Sequence, residues 1–139
     1  MKALSVKQPW ASMIAEGCKT IETRTWKTTY RGLLVVVASN TPQVQNLPAG
    51  QALCIAELVD CRPMRIEDEA AAQCSFHSRL FSWILEDIRP IERFAVKGKL
   101  RLFEVDDELI EPDCLNCNGI STGCDLDGLC FLPHEAMAD

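Results

Sequence analysis

Strand-sized runs of apolar residues recur along the chain, separated by polar segments that contain Gly, Pro and Asn. The clearest run is Leu33-Leu34-Val35-Val36-Val37-Ala38, which is apolar at every position. Short runs rich in β-branched residues and bounded by turn formers predict strands rather than helices. The predicted strands cover residues 2 to 6, 20 to 26, 32 to 38, 51 to 61, 81 to 88 and 98 to 105.

Two short helices interrupt this pattern of strands. The apolar residues that follow Pro9 have helical spacing, which predicts a helix over residues 8 to 16 with Pro9 in its first turn. Gly17 is the natural stop, because glycine readily adopts the left-handed conformation that ends a helix. A second helix is predicted over residues 66 to 73, which are rich in Ala and carry acidic side chains near the favourable N-terminal end.

A charged motif lies just after the first predicted helix. The segment Gly17-Cys18-Lys19-Thr20-Ile21-Glu22-Thr23-Arg24 has the spacing G-x-K-x-x-E-x-R. Because strand side chains alternate between faces, Glu22, Arg24 and Trp26 are expected on one face. Glu22 and Arg24 can then pair, while the planar guanidinium of Arg24 still offers donors to a phosphate, a carboxylate or a base edge.

The order of two motifs resembles a known family. The opening Lys7-Gln8-Pro9-Trp10-Ala11-Ser12, followed by G-x-K-x-x-E-x-R, is similar to the ASCH domain of the PUA-like superfamily. The likeness extends over residues 1 to 105. It implies an α+β fold, a small PUA-like mixed β-barrel of about five to six strands with short helices. Residues 106 to 139 then form an acidic, Cys-rich C-terminal extension.

The resemblance also implies a function, because PUA-like barrels commonly bind RNA or modified bases in a cleft between barrel and helix. Lys19 and Arg24 offer charge and donors to phosphate or carbonyl oxygen. Glu22 can accept from an exocyclic amine or hold Arg24 in place. We therefore expect RNA or a modified nucleoside as the partner, and the expected ligand-binding residues are Lys7, Ser12, Lys19, Glu22, Arg24 and Trp26.

Aromatic residues near the motif have two interpretations. Trp10, Trp26 and Tyr30 are candidate surfaces on which a base can stack. The competing interpretation places Trp10 in the core. In it, Trp26, Tyr30 and Trp83 are packing residues that fill the barrel. The spacing alone leaves both interpretations open.

A catalytic alternative also follows from the resemblance. A related bacterial group in the superfamily hydrolyses the amide of N(4)-acetylcytidine with a Lys at the third motif position and a Thr at the sixth. In this chain the third position is Lys19 but the sixth is Glu22, so the expected nucleophile is missing. Lys19 and Glu22 remain candidate catalytic residues, because a lysine with a pKa lowered by burial can act as a base and a glutamate can relay protons.

Composition is that of one ordinary globular domain. The chain has 139 residues, of which 47% are hydrophobic and 24% are charged. Its longest apolar runs are far shorter than a membrane span, and its first residues do not begin a signal peptide. The expected location is therefore cytoplasmic, without membrane contact.

Charge is distributed unevenly around a net charge of −6. Residues 1 to 40 contain six Lys or Arg and two Glu, whereas the chain from Glu104 onward contains ten acids and no Lys or Arg. The basic region, residues 1 to 40, can attract phosphate, and the acidic end of the chain would repel it. This acidic end is also the basis of a third hypothesis, a protein-interaction module of the kind found in transcription coactivators.

A cysteine cluster follows the predicted barrel, with the spacing C-x2-C-x6-C-x5-C. In a reducing compartment, closely spaced thiols with intervening turn formers favour a metal site over disulfides. A structural Zn²⁺ ion is the expected cofactor, with an iron–sulfur cluster or free cysteines as the alternatives. The candidate ligands are Cys114, Cys117, Cys124 and Cys130.

Overall fold

A computed structural model of the protein describes residues 1–111. Its six strands form one curled sheet with the order β2-β5-β4-β3-β1-β6. The pairs are antiparallel except for β1 with β3, which are parallel. The strands are β1 (Lys2–Val6), β2 (Ile21–Arg24), β3 (Gly32–Ala38), β4 (Gln51–Pro63), β5 (Phe81–Ala95) and β6 (Leu102–Glu104).

Two short helices cover parts of this sheet. Helix α1 (Trp10–Ala15) is preceded by Pro9 as its N-cap, so the helix begins one residue after the proline rather than on it. Gly17 has a φ of 85°, as expected of a glycine that ends a helix. The second predicted helix is a 3₁₀ turn, Ile66–Asp68, that continues into α2 (Glu69–Ala72).

The core lies on both faces of the central strands. In β3, Leu34, Val36 and Ala38 pack in one buried cluster, while Leu33, Val35 and Val37 pack in another. A strand covered on both faces is apolar at every position, which accounts for the run that identified β3. The predicted barrel of five to six strands is confirmed as a curled six-stranded sheet.

The two last strands differ from their predicted lengths. The prediction ended β5 at residue 88, before Pro90, but the strand continues to Ala95. Its pairing with β4 shifts register three times, and such irregularities accommodate a proline and bend the strand. The predicted strand over residues 98 to 105 was too long, because Arg101 has a φ of 59° and only Leu102–Glu104 are extended and paired.

Packing continues past β6. A 3₁₀ turn, Asp107–Leu109, follows it, and Ile110 is 6% exposed within one of the core clusters. The amide of Glu92 donates a hydrogen bond to the carbonyl of Glu111 at 2.8 Å. The described chain is therefore joined to the sheet up to its last residue. Within residues 1–111, no helix has the length and apolar character that crossing a membrane requires.

Candidate functional site

A cleft of about 1310 Å³ opens where the curled sheet leaves β1 and β2 on facing sides. Its walls are the end of β1, the segment from Lys19 to Trp26, and the loop between β5 and β6. Trp10 of α1 also lines it. Of the six ligand-binding residues predicted from the sequence, five line this single cleft: Lys7, Lys19, Glu22, Arg24 and Trp26.

Lys19 forms the buried floor of the cleft. Only 1% of the residue is exposed, and its Nζ donates a hydrogen bond to the carbonyl of Ala72, the last residue of α2. Nζ also lies 3.5 Å from Oε1 of Glu22. Burial lowers the pKa of Lys19, and the attraction of the Glu22 carboxylate opposes that effect. A buried amine and a buried carboxylate therefore lie side by side in the cleft lining, where they can contact a ligand.

Glu22 and Arg24 pair across one face of β2. The guanidinium Nε donates to Oε2 of Glu22 at 2.9 Å, and its Nη2 lies 2.9 Å from the same oxygen. Nη2 also donates to the carbonyl of Ser5 in β1 at 2.6 Å. Because β1 and β2 are not neighbours in the sheet, this hydrogen bond joins the two sides of the curl. Neither bond uses Nη1, which carries two further N–H donors.

Two tryptophans give the cleft aromatic surface. Trp26 packs edge-on against the fully buried Trp83, with ring centroids 4.8 Å apart, and its other face carries Arg101, whose Cζ lies 4.1 Å from the ring centroid. Trp10 is 38% exposed and donates from Nε1 to the carbonyl of Gln73 at 3.3 Å. Of the two interpretations of Trp10, the one that placed it in the core is therefore wrong. Tyr30 lies outside the cleft lining and donates its hydroxyl to the carbonyl of Leu33.

Ser12 is the sixth predicted ligand-binding residue, and the structure places it away from the cleft. It is 8% exposed, its N–H donates to Oε1 of Gln8 at 2.9 Å, and its Oγ accepts from Nε2 of Gln8 at 2.8 Å. The same amide of Gln8 donates to the carbonyl of Pro48 at 2.8 Å. The polar side chains of this segment are thus used within the fold, where Gln8 and Ser12 fix the start of α1.

Several cleft residues were missed by the sequence interpretation. Ser5 contributes a backbone carbonyl, which no side-chain motif reveals. Lys97, Lys99 and Arg101 also line the cleft, because a segment expected to be a strand is a loop. The available signal was the concentration of three cations in the five residues Lys97-Gly98-Lys99-Leu100-Arg101.

The four cysteines of the predicted zinc site, Cys114, Cys117, Cys124 and Cys130, lie outside the described residues. Residues 1–111 themselves contain no cluster of three or more His, Cys, Asp or Glu side chains arranged to hold a metal ion. The zinc site and the protein partner of the acidic end therefore stay predictions.

A curled six-stranded sheet with short helices packed on it is the PUA-like fold of ASCH domains. A model of the ASCH domain matches residues 4–95, and this chain belongs to the ASCH domain family.

Individual relatives agree with this membership. The chain is 27% identical over 130 residues to activating signal cointegrator 1 of Homo sapiens, and 26% identical to that of Mus musculus. Each alignment covers 76% of this chain but 22% of the relative, so the chain spans about a fifth of the length of these proteins. The crystal structure of ASCH from Zymomonas mobilis superposes with a TM-score of 0.60 at 15% identity, covering 77% of this chain and 88% of that one.

Proposed function

We propose that this chain binds RNA or a modified nucleoside by holding one base in the cleft against Lys19, Glu22 and Arg24. The observation that carries the proposal is the charge of the cleft. Six of the seven charged side chains that line it in the described structure are cationic, and Glu22 is the one acid. Although the whole chain is net negative, its cations are concentrated in one concavity. Such a concavity is suited to binding a polyanion such as RNA, with Glu22 available for one specific contact to a base.

The buried groups suit the edge of a base. Oε1 of Glu22 accepts from Lys19 at long range and retains capacity to accept an exocyclic amine. Nη1 of Arg24 offers donors to a ring nitrogen or a carbonyl oxygen. An acceptor beside a donor matches the exocyclic amine of cytosine and the ring acceptor N3 next to it. Uracil has a carbonyl in place of that amine, so it can offer the carboxylate only its ring N3–H, from a shifted position. Trp10 lines the same cleft, is 38% exposed and supplies aromatic surface for the face of the base, whereas Arg101 already lies over the ring of Trp26.

We expect the protein to bind cytidine more tightly than uridine, by about 5-fold to 100-fold, because only cytidine can donate an exocyclic amine to Glu22, where uridine would place a carbonyl oxygen. In Glu22→Gln this preference should largely disappear, since a side-chain amide can turn either its oxygen or its nitrogen towards the base. Isothermal titration calorimetry with the two nucleosides measures the ratio. Adenosine and guanosine extend the comparison to purines that carry an amine.

Glu16→Gln is the matched control, because Glu16 is exposed at the end of α1 and lies outside the cleft. Circular dichroism first establishes that both variants are folded. Equal affinities of the wild-type protein for uridine and for all three amine-bearing nucleosides would contradict the assignment of Glu22.

A second candidate function is hydrolysis of an N(4)-acetylcytidine-like amide. The burial of Lys19 favours it, because burial lowers the pKa of the amine, and only a neutral amine can take a proton from an attacking water. Water would add to the acetyl carbonyl, the amide C–N bond would break, and the departing nitrogen would take a proton to give cytidine and acetate. Thr23 also lines the cleft, and its hydroxyl lies 3.6 Å from Sγ of Cys74.

If this second candidate is correct, acetate release from N(4)-acetylcytidine should fall by about 100-fold or more in Lys19→Met. Lys27→Met should keep the wild-type rate, because Lys27 is exposed and outside the cleft. Chromatographic separation of cytidine from its acetyl derivative measures the rate. A wild-type protein that binds the acetylated nucleoside without releasing acetate would restrict the function to binding.

A further inference from the structure

The loop between β5 and β6 forms one rim of the cleft. Its residues Lys97-Gly98-Lys99-Leu100-Arg101, the 97–101 loop, all line the cavity, and they include three cations and no acid. The loop is thus the most strongly charged part of the cleft wall, and the base contacts at Lys19, Glu22 and Arg24 do not require it.

The 97–101 loop is held in place at both ends. Just before it, the amide of Val96 donates to the carbonyl of Gly50 at 2.9 Å. Gly98 approaches Ser5 so closely that an added Cβ would lie 2.9 Å from its Oγ. At the other end, Arg101 stacks on Trp26. A loop fixed in this way presents its remaining side chains at a defined place on the rim.

Those remaining side chains are solvated cations. Lys97 and Lys99 are exposed, and neither makes an ion pair within residues 1–111, whereas Lys2, Arg31 and Arg62 all do. Leu100, between Lys99 and Arg101, is 92% exposed. Unpaired lysines contribute little to the stability of the fold, but they attract an anion that approaches the cleft.

We propose that the 97–101 loop contacts the phosphates of nucleotides that flank the bound base, so that the protein takes single-stranded RNA in preference to a free nucleoside. This inference rests on the proposed base-binding function. A base can reach buried Glu22 only after it leaves its stack, which single strands permit at low cost. The phosphates on either side of that base must then pass over the rim, where Lys97 and Lys99 neutralise charge without reading sequence.

The experiment compares cytidine, an eight-nucleotide oligocytidine and a duplex of the same length. Fluorescence anisotropy follows the labelled nucleic acids, and calorimetry follows the nucleoside. We expect the oligocytidine to bind the wild-type protein at least tenfold more tightly than cytidine. Lys97→Ala/Lys99→Ala should weaken oligocytidine binding on the order of tenfold and leave cytidine binding unchanged.

Salt dependence gives a second readout between about 50 mM and about 300 mM salt. Because each lost phosphate contact on a single strand changes the slope of log K against log[salt] by about 0.7, the double variant should reduce it by about 1.4. Arg79→Ala/Arg93→Ala is the matched control, since it removes the same charge from exposed positions outside the cleft lining. Its slope should equal that of the wild-type protein.

The outcomes separate this inference from the function on which it rests. One outcome would overturn the role of the 97–101 loop and leave the base site standing. In it, the protein binds cytidine, but the double variant has the same slope of log K against log[salt] for oligocytidine as the wild-type protein. Tighter binding of the duplex than of the single strand would also overturn it. Failure of the wild-type protein to bind any of the probes would remove both proposals together.

Discussion

Replacing Asp68 with asparagine is expected to lower the free energy of unfolding by about 3 kcal/mol. Asp68 is 6% exposed, and it receives two hydrogen bonds from the guanidinium of Arg62 at 2.7 Å and 2.9 Å. The Arg65 amide and the Ser82 hydroxyl also donate to it, at 2.9 Å and 2.8 Å. Asparagine keeps one acceptor oxygen but has no charge, and its NH₂ group would face donors.

This effect should depend on pH. The hydrogen bonds from Arg62 hold the pKa of the Asp68 carboxyl well below its usual range. A carboxyl whose pKa is lowered by folding stabilises the native state fully above its unfolded pKa, near 4, and this stabilisation is lost as the pH falls towards the folded pKa. The difference in free energy of unfolding between the wild-type and Asp68→Asn proteins should therefore become smaller from about pH 4 downwards.

Urea unfolding at a series of pH values from about 7 to about 3 measures the difference. Glu67→Gln is the control, because Glu67 lies in the same 3₁₀ turn but is exposed. If Asp68→Asn lowers the free energy of unfolding no more than this control does, the hydrogen bonds that Asp68 accepts contribute little to stability. A loss that stays constant across the pH series would contradict the proposed role of the ionised carboxylate.

Replacing Glu22 with leucine is expected to lower the free energy of unfolding by about 4 kcal/mol, the largest effect of a single change in the cleft. The reason is the environment of Lys19, which is 1% exposed and would remain buried beside no anion. Arg24 would also lose its partner, although its side chain is 23% exposed and can be hydrated. Removing one member of a buried pair costs more than removing both.

The double variant Lys19→Met/Glu22→Leu should consequently recover a part of that loss, on the order of 1 to 3 kcal/mol. Lys19→Met alone should cost less than Glu22→Leu, since Glu22 keeps its bond to Arg24. Chemical denaturation of the wild-type protein, the two single variants and the double variant completes the cycle. Strictly additive losses would mean that Lys19 and Glu22 do not interact in the folded protein.

The part of the site that could be predicted from sequence is the part held by local geometry. Glu22 and Arg24 are two residues apart on one strand, so strand alternation alone places them side by side. Lys19 is close in sequence as well, and its position is fixed by the loop that follows α1. Local spacing is sufficient for Glu22 and Arg24, because it determines their relative directions once β2 forms, whereas Lys19 lies before the strand.

Distant contributions could not be predicted in the same way. Ala72 offers its carbonyl to Lys19 from a helix more than fifty residues later, and Ser5 offers its carbonyl to Arg24 from another strand. Both are backbone atoms, which have no signature in the sequence. The 97–101 loop was hidden for a different reason, because the left-handed conformation of Arg101 interrupts a segment that otherwise resembles a strand.

The fold shows the same division between local and distant information. The apolar run of β3 identified a central strand, because both of its faces are buried. The continuation of β5 beyond Pro90 depends on register shifts against β4, and these arise from pairing between strands rather than from the residues of either one. Ser12, predicted as a ligand-binding residue, lies outside the cleft lining for a similar reason, since it is hydrogen-bonded to Gln8 within the fold.

The bond between Arg24 and the carbonyl of Ser5 has a consequence for how binding and folding are linked. Within residues 1–111, no strand pairing closes the sheet between β1 and β2, so this side chain acts as a latch across the seam. Any molecule that draws the guanidinium away from Ser5 would loosen the latch, and any molecule that also engages Ser5 would tighten it. Ligands of similar affinity can therefore differ in how firmly they leave the half-barrel shut.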